Sequence, residues 1–107
     1  MTRYVIINET TEVSVRNFSN SGSLFDALCI GGLKNGSFSE IAVCETMEQA
    51  RDELKKYKSS ATLMSGLAGV KFYSADIYYI EEQEYDEEYD EWQPTGDYEA
   101  AIEEIKD

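Results

Sequence analysis

The beginning of the chain alternates apolar runs with small polar residues, a pattern that predicts strands. Thr2–Ile7 is a β-branched and aromatic run, and Glu12–Arg16 alternates polar with apolar residues at the period of a half-buried strand. Between them, Asn8–Thr11 has the small polar character of a turn. We therefore predict that the chain opens with a β-hairpin.

Capping residues followed by apolar residues at helical spacing predict two helices. Ser19–Ser23 offers capping oxygens to a short helix over Leu24–Cys29. Thr46 and Gln49 form a capping-box pattern at the start of a helix over Met47–Lys58. The second helix carries one apolar stripe at steps of three and four residues, made of Met47, Ala50, Leu54 and Tyr57. Such a stripe predicts packing against a core.

Two further strand regions are rich in β-forming residues. Phe38–Cys44 follows a predicted turn at Lys34–Ser37. Val70–Ile80 has apolar residues on both alternating faces, which predicts the longest and most central strand. The residues between the second helix and this strand, Ser59–Gly69, are small and predict a flexible connection.

The end of the chain has a turn pattern followed by helical spacing. Residues 94–97 read as a turn and cap, and a C-terminal helix over about 97–106 would place Tyr98, Ala101, Ile102 and Ile105 on one face. Together the elements predict one α+β domain over residues 1–107. It would consist of a small antiparallel sheet with two to three helices packed on it and an acidic C-terminal edge.

Charge is distributed very unevenly along this chain. Residues 1–75 carry 8 acidic and 8 basic side chains, whereas residues 76–107 carry 14 acidic side chains and Lys106. The net charge of -13 is therefore local. A dense anionic surface attracts a cationic partner and repels nucleic acid and anionic membranes, so we expect no direct contact with either.

The charge is concentrated in an acidic segment at residues 81–92. Its eight carboxylates belong to Glu81, Glu82, Glu84, Asp86, Glu87, Glu88, Asp90 and Glu91, and its three aromatic residues are Tyr85, Tyr89 and Trp92. If helical, the segment would place these rings in one stripe; if extended, it would hold carboxylates in rows; disorder is the third alternative. A charge run is commonly only a solvated edge, but disordered tails rarely contain so many aromatic residues.

Carboxylates in rows can stand in for the phosphates of nucleic acid. Alternate residues of a strand lie roughly 6.6 to 6.8 Å apart, and nucleic acid presents one charge about every 3.4 Å of axial rise per strand. A groove that binds DNA or RNA through lysine and arginine could accept such rows, with the rings of Tyr85, Tyr89 and Trp92 in place of stacked bases. We therefore predict that the eight carboxylates and three aromatic residues of this segment form the partner-binding site.

The sequence argues against several kinds of chemistry. It contains no histidine, so it lacks the commonest general base and the usual zinc ligand, and Cys29 and Cys44 are best explained as core residues. The carboxylate run lacks the ordered loop of a tight calcium site. We predict no enzyme activity, cofactor or metal. The start has only three consecutive apolar residues, Val5–Ile7, far fewer than a signal peptide or a membrane span needs, which favours a cytoplasmic protein.

The segment Glu81–Trp92, the small size and the lack of catalytic motifs resemble the acidic inhibitors that phages and plasmids encode against host nucleases, the anti-CRISPR and antirestriction nucleic-acid mimics. The resemblance implies a non-enzymatic inhibitor that occupies the cationic site of a host nuclease or CRISPR effector. The alternative is an acidic interaction or regulatory module that docks on another basic protein unrelated to nucleic acid.

Overall fold

A computed structural model of the chain describes residues 1–31 and 36–106, with side chains throughout except at residues 29–31. In this part of the chain, six strands form one mixed sheet and three α-helices pack on it. The elements are β1 (Thr2–Ser14), α1 (Val15–Ser21), α2 (Leu24–Gly31), β2 (Ser37–Cys44), α3 (Met47–Leu54), β3 (Ser59–Ser65), β4 (Lys71–Asp86), β5 (Glu91–Ala100) and β6 (Glu103–Lys106). The predicted α+β class is confirmed.

β4 is the long central strand of the sheet, as its apolar residues on both faces predicted. It has 16 residues and pairs antiparallel with β1 from Phe72 to Glu84. Its other side is shared by two strands, because β3 pairs with residues 71–76 and β5 pairs with residues 79–86. β6 runs parallel to β3, so the sheet is mixed and the prediction of a purely antiparallel sheet was wrong.

A buried serine closes the junction where β3 and β5 meet along β4. The Ser59 side chain is fully buried, and its Oγ accepts a hydrogen bond of 2.8 Å from the backbone N–H of Tyr78. The backbone N–H of Ala101 donates to the Tyr78 carbonyl at 3.0 Å, which continues the β5 pairing to the junction. The serine hydroxyl therefore replaces the missing strand partner of a buried N–H group.

Helices cover both faces of the sheet. On the α1/α2 face, Val5 and Ile77 pack with Leu24 of α2. On the α3 face, Ile6 and Ile80 pack with Ala50 and Leu54 of α3. Because side chains alternate along a strand, each buried strand contributes to two separate apolar cores.

α3 begins at the residue that the capping pattern predicted. The Thr46 Oγ1 accepts from the Gln49 N–H at 3.1 Å, and the Gln49 Oε1 accepts from the Glu45 N–H at 3.2 Å. The helix ends at Leu54 rather than at the predicted Lys58. Tyr57 still packs on the sheet, since its ring stacks on Tyr78 with a centroid distance of 4.8 Å.

The predicted opening hairpin was wrong, because β1 continues through the polar residues. Asn8 Nδ2 donates to Asp76 Oδ1 at 2.5 Å, and the Tyr79 hydroxyl donates to the Glu9 carboxylate. Thr11 is buried. The side chains of Asn8 and Glu9 find partners on β4, so tertiary pairing overrides the local preference for a turn.

The predicted C-terminal helix at 97–106 was also wrong. Its residues belong to β5 and β6, with two residues between them where the chain moves from beside β4 to beside β3. Ala101 enters the core of the α3 face, Ile105 packs on the core of the α1/α2 face, and Ile102 is 78% exposed. The apolar residues therefore point in different directions, and their helical spacing is coincidental.

Other local predictions had mixed outcomes. The helix from Leu24 and the strand to Cys44 are confirmed, but Ser59–Gly69 is a strand followed by one 3₁₀ turn rather than a flexible connection. The helix α1 was missed, since Val15 and Arg16 were assigned to a strand. Part of the predicted turn at Lys34–Ser37, and the side chain of Cys29, lie outside the described residues.

Candidate functional site

The acidic segment is an ordered β-hairpin formed by the end of β4 and the start of β5. Asp86 pairs with Glu91 and Tyr85 with Trp92, and residues 87–90 form the turn. We call residues 81–92 the acidic hairpin. Of the alternatives that the sequence left open, the extended form is therefore the observed one. The molecule measures 49 × 29 × 21 Å, and its long dimension matches a strand of 16 residues at about 3.3 Å each.

The residues of the turn explain why the chain reverses here. The Asp86 Oδ1 accepts from the backbone N–H groups of Glu88 at 3.0 Å and Tyr89 at 3.4 Å, an arrangement typical of aspartate at turns. Asp90 has a φ of 52°, in the left-handed region that aspartate tolerates better than most residues. Two of the acidic residues thus also determine the backbone of the turn.

One face of the acidic hairpin carries a row of carboxylates. Glu82 lies beside Tyr4, which packs on the core of the α3 face, so Glu82, Glu84 and Asp86 are on that face. Glu91 joins them as the cross-strand neighbour of Asp86. The row continues into the exposed turn residues Glu87, Glu88 and Asp90.

The opposite face of the acidic hairpin carries one arginine, which packs on Trp92 and Gln83. The Arg3 guanidinium lies 4.3 Å from the centroid of the Trp92 ring, and its Nε donates to Gln83 Oε1 at 2.8 Å. Gln83 Nε2 in turn donates to Glu81 Oε2 at 2.6 Å. The Trp92 and Tyr85 rings pack edge to face, with 5.3 Å between their centroids. We call these five residues the Arg3 cluster.

The three aromatic residues therefore do not form the single stripe that a helix would give them. Tyr85 and Trp92 pack on each other within the Arg3 cluster and are half-buried, whereas Tyr89 is in the turn and 67% exposed. The predicted site residues are brought together in one hairpin, but they divide by face. Tyr85, Trp92 and Glu81 are on the face of the Arg3 cluster, and the other carboxylates are on the α3 face or in the turn.

Ion pairs in the described ranges 1–31 and 36–106 leave the acidic hairpin untouched. All four involve α3 or the residues just after it; they are Arg51–Glu99, Lys55–Asp52, Lys56–Glu53 and Lys58–Glu104. No lysine or arginine of the described chain lies within 4.0 Å of a carboxylate between Glu81 and Glu91. The carboxylates of the acidic hairpin therefore have no cationic partner at ion-pair distance within the described chain.

The carboxylates are also dispersed rather than gathered around a point. Among the described residues, no group of three or more Asp, Glu or Cys side chains is placed to hold a metal ion.

None of the described helices has the length and apolar character needed to cross a bilayer. Comparison with family models, with curated proteins and with solved structures gave no match.

Sequence reasoning missed Arg3 as part of this site. Arg3 is 80 positions from Gln83, and no local pattern connects the two residues. The available signal was weak. Arg3 and Val5 are two positions apart in a strand, so their side chains lie on the same face. Knowing which strand pairs with β4 was needed to bring that face beside the acidic hairpin.

Proposed function

We propose that this protein is a non-enzymatic inhibitor that inserts the acidic hairpin into the cationic site of a host nucleic-acid-binding protein, such as a nuclease or a CRISPR effector. The observation that carries the proposal is an ordered hairpin whose carboxylates have no cationic partner within the described chain. Ordering such a hairpin keeps like charges close together at a cost in stability. A cationic groove would relieve that repulsion.

The linear charge density of the acidic hairpin supports nucleic-acid mimicry. Five strand steps from Glu81 to Asp86 span about 17 Å. Over that length a nucleic acid carries about 5 charges on one strand and about 10 on a duplex. The eight carboxylates of the acidic hairpin fall between these values, so a groove built for phosphates would meet a comparable charge.

The faces of the acidic hairpin assign different roles to its residues. The contact surface consists of the carboxylate row on the α3 face and the turn residues, with Tyr89 as the exposed aromatic anchor. Aromatic residues are enriched among those that dominate interface energies. Tyr85 and Trp92 act as a support, because Arg3 holds them against the opposite face.

The asymmetry of charge favours one alternative, an acidic module that docks on a basic protein unrelated to nucleic acid. The net charge comes from residues 76–107 and is densest in the acidic hairpin, since residues 1–75 are balanced. A footprint of a single hairpin is small for a groove that holds a long duplex. Both functions predict binding that weakens steeply with salt, because exposed charges are screened over about 8 to 10 Å near physiological ionic strength.

Affinity capture from host lysate, washed at graded salt, tests the proposal. One bait is the natural chain, and a second has six hairpin carboxylates replaced by Gln or Asn: Glu84, Asp86, Glu87, Glu88, Asp90 and Glu91. The matched control bait has six exposed carboxylates outside the hairpin replaced in the same way: Glu12, Asp26, Glu40, Glu45, Glu48 and Glu104.

We expect the natural and control baits to retain the same nuclease or other nucleic-acid-binding protein, and the hairpin variant to lose it. Recovery of a basic protein with no nucleic-acid site would favour the docking module. Equal recovery by all three baits would contradict both functions and leave the acidic hairpin as a solubility feature.

A further inference from the structure

The free edges of the sheet differ in how well they are protected. Edge strands expose unpaired backbone N–H and C=O groups, and proteins commonly block them with proline, charge, bulges or short length. The outer edge of β5 carries Pro94, an irregularity opposite Glu82 and several carboxylates. β6 has four residues, of which three are charged. Both of these edges are poorly suited to pairing.

β2 is the exception among the edges of the described chain. Its eight residues, Ser37–Cys44, contain Glu40 as their one charge and no proline. Phe38 is 67% exposed, Val43 57% and Ile41 38%. In a protein with a net charge of -13, this is an unusually apolar and uncharged stretch of backbone. It is the edge most open to another strand.

A bulge in β2 aligns its apolar residues so that they could face the β2 strand of a second copy. Phe38 pairs with Glu9 and Val43 pairs with Val5, and the extra residue between these pairs is Ile41. Glu9 and Val5 are four residues apart on β1, so Phe38 and Val43 share one face and the same hydrogen-bonding orientation. Without the bulge, residues separated by five positions would lie on opposite faces.

We propose that two copies of this chain pair through β2, antiparallel about a two-fold axis between Glu40 and Ile41. In this register Phe38 lies opposite Val43 of the second copy, and the same contact occurs twice. Glu40 lies opposite Ile41 of the second copy, so the two glutamates are not directly opposed. A two-fold interface of this kind uses the same patch on both copies and closes on itself, which limits the assembly to two.

The charges of the molecule are compatible with this dimer. Cys44 pairs with Tyr4, and Tyr4 pairs with Glu82, so the Cys44 end of β2 and the acidic hairpin are at the same end of the molecule. Antiparallel pairing therefore places the two acidic hairpins at opposite ends of the joined sheet. The molecule is 49 Å long, several times the distance over which exposed charges act at physiological salt.

The size of the contact sets its strength. Standard interfaces bury about 800 Å² per partner. A pair of eight-residue strands covers less, so we expect a reversible dimer that depends on Phe38 and Val43 and on backbone pairing, as in other strand additions. The dimer is independent of the proposed inhibitor function, because β2 and the acidic hairpin are separated by β1.

Sedimentation velocity over a concentration series, at low and high salt, tests this proposal. The natural chain should pass from monomer to dimer with no larger species, and added salt should leave the dissociation constant unchanged or lower it. Phe38→Ser and Val43→Lys should each raise that constant tenfold or more. The control Leu67→Ser removes a side chain that is 95% exposed elsewhere and should leave the constant unchanged.

Several results would overturn the dimer. A natural chain that stays monomeric at its highest soluble concentration contradicts it, as does a dimer that Phe38→Ser and Leu67→Ser weaken equally. A variant with six neutralised hairpin carboxylates should still dimerise. If it does not, or if salt dissociates the dimer, the copies associate through the acidic hairpin instead of β2.

Discussion

A carboxylate from the last strand anchors the second helix of the fold, and its removal has a predictable cost. The Glu103 Oε1 accepts from the backbone N–H of Leu24 at 2.8 Å, and its Oε2 accepts from that of Phe25 at 3.2 Å. Ser23 Oγ accepts from the N–H of Asp26 at 3.1 Å. Three N–H groups that the first turn of α2 leaves without helical partners are thus satisfied, two of them by one anionic side chain.

Glu103→Ala removes two hydrogen bonds to a charged group beside the buried residue Leu24. One such bond contributes roughly 1.5 to 3 kcal/mol, and loss of a helix cap costs roughly 0.5 to 2 kcal/mol. Because water can replace part of the loss at this partly exposed site, we expect the free energy of unfolding to fall by about 2 to 3 kcal/mol. Glu103→Gln retains one acceptor oxygen and should cost about half as much.

Glu104→Ala is the matched control because it removes the same charge from the neighbouring residue. Glu104 forms an ion pair with Lys58 at 3.2 Å, and both side chains are about half exposed, at 49% and 58%. Such pairs contribute about 0 to 1 kcal/mol. Urea denaturation followed by far-UV circular dichroism measures all three variants. Equal losses for Glu103→Ala and Glu104→Ala would refute the capping role.

Three further predictions concern the sheet and the acidic hairpin. Ser59→Ala leaves the buried backbone N–H of Tyr78 without its acceptor, so the free energy of unfolding should fall by about 1 to 3 kcal/mol in urea denaturation. A loss under about 0.5 kcal/mol would contradict the junction described above. Burial, reinforced by a hydrogen bond to the Glu9 carboxylate, raises the pKa of Tyr79 above its unfolded value of about 10. The buried neutral phenol therefore contributes fully to the free energy of unfolding below pH about 10, and this contribution is lost as the pH rises above that value. The stability difference between the natural chain and Tyr79→Phe should therefore shrink above pH about 10, and Tyr89→Phe, which changes an exposed ring, should show no such convergence. Arg3→Ala should speed the hydrogen exchange of backbone amides in the acidic hairpin by roughly 5- to 30-fold, equivalent to about 1 to 2 kcal/mol. The control Arg16→Ala should leave these exchange rates unchanged. Equal exchange rates in the two variants would contradict the supporting role assigned to Arg3.

The elements that could be predicted from the sequence are those whose signal is local. β4 has apolar residues on both alternating faces, and α3 begins with a capping box, so neighbouring residues alone identify both. β1 was divided wrongly because the partners of Asn8 and Glu9 lie about 70 positions away. Without those partners, a polar run reads as a turn.

The same division between local and distant signals applies to the end of the chain and to the site. The spacing of Tyr98, Ala101, Ile102 and Ile105 fits a helix, but the step between β5 and β6 sends these side chains to different surroundings. The carboxylates of the acidic hairpin are adjacent in sequence, and the sequence predicted their clustering. Their division into two faces follows from the alternation of side chains along a strand, but the contact of one face with Arg3 could not be predicted, because Arg3 comes from the other end of the chain.

Competition between the protein and nucleic acid for one captured partner tests the central claim most directly. A labelled oligonucleotide is bound to the partner recovered by affinity capture, and its fluorescence anisotropy is followed as the natural chain is added. We predict full displacement at saturation, with an apparent affinity that falls as salt rises, and no displacement by the variant with six neutralised hairpin carboxylates. A ternary complex in which oligonucleotide and protein remain bound together, or equal displacement by that variant, would contradict the account.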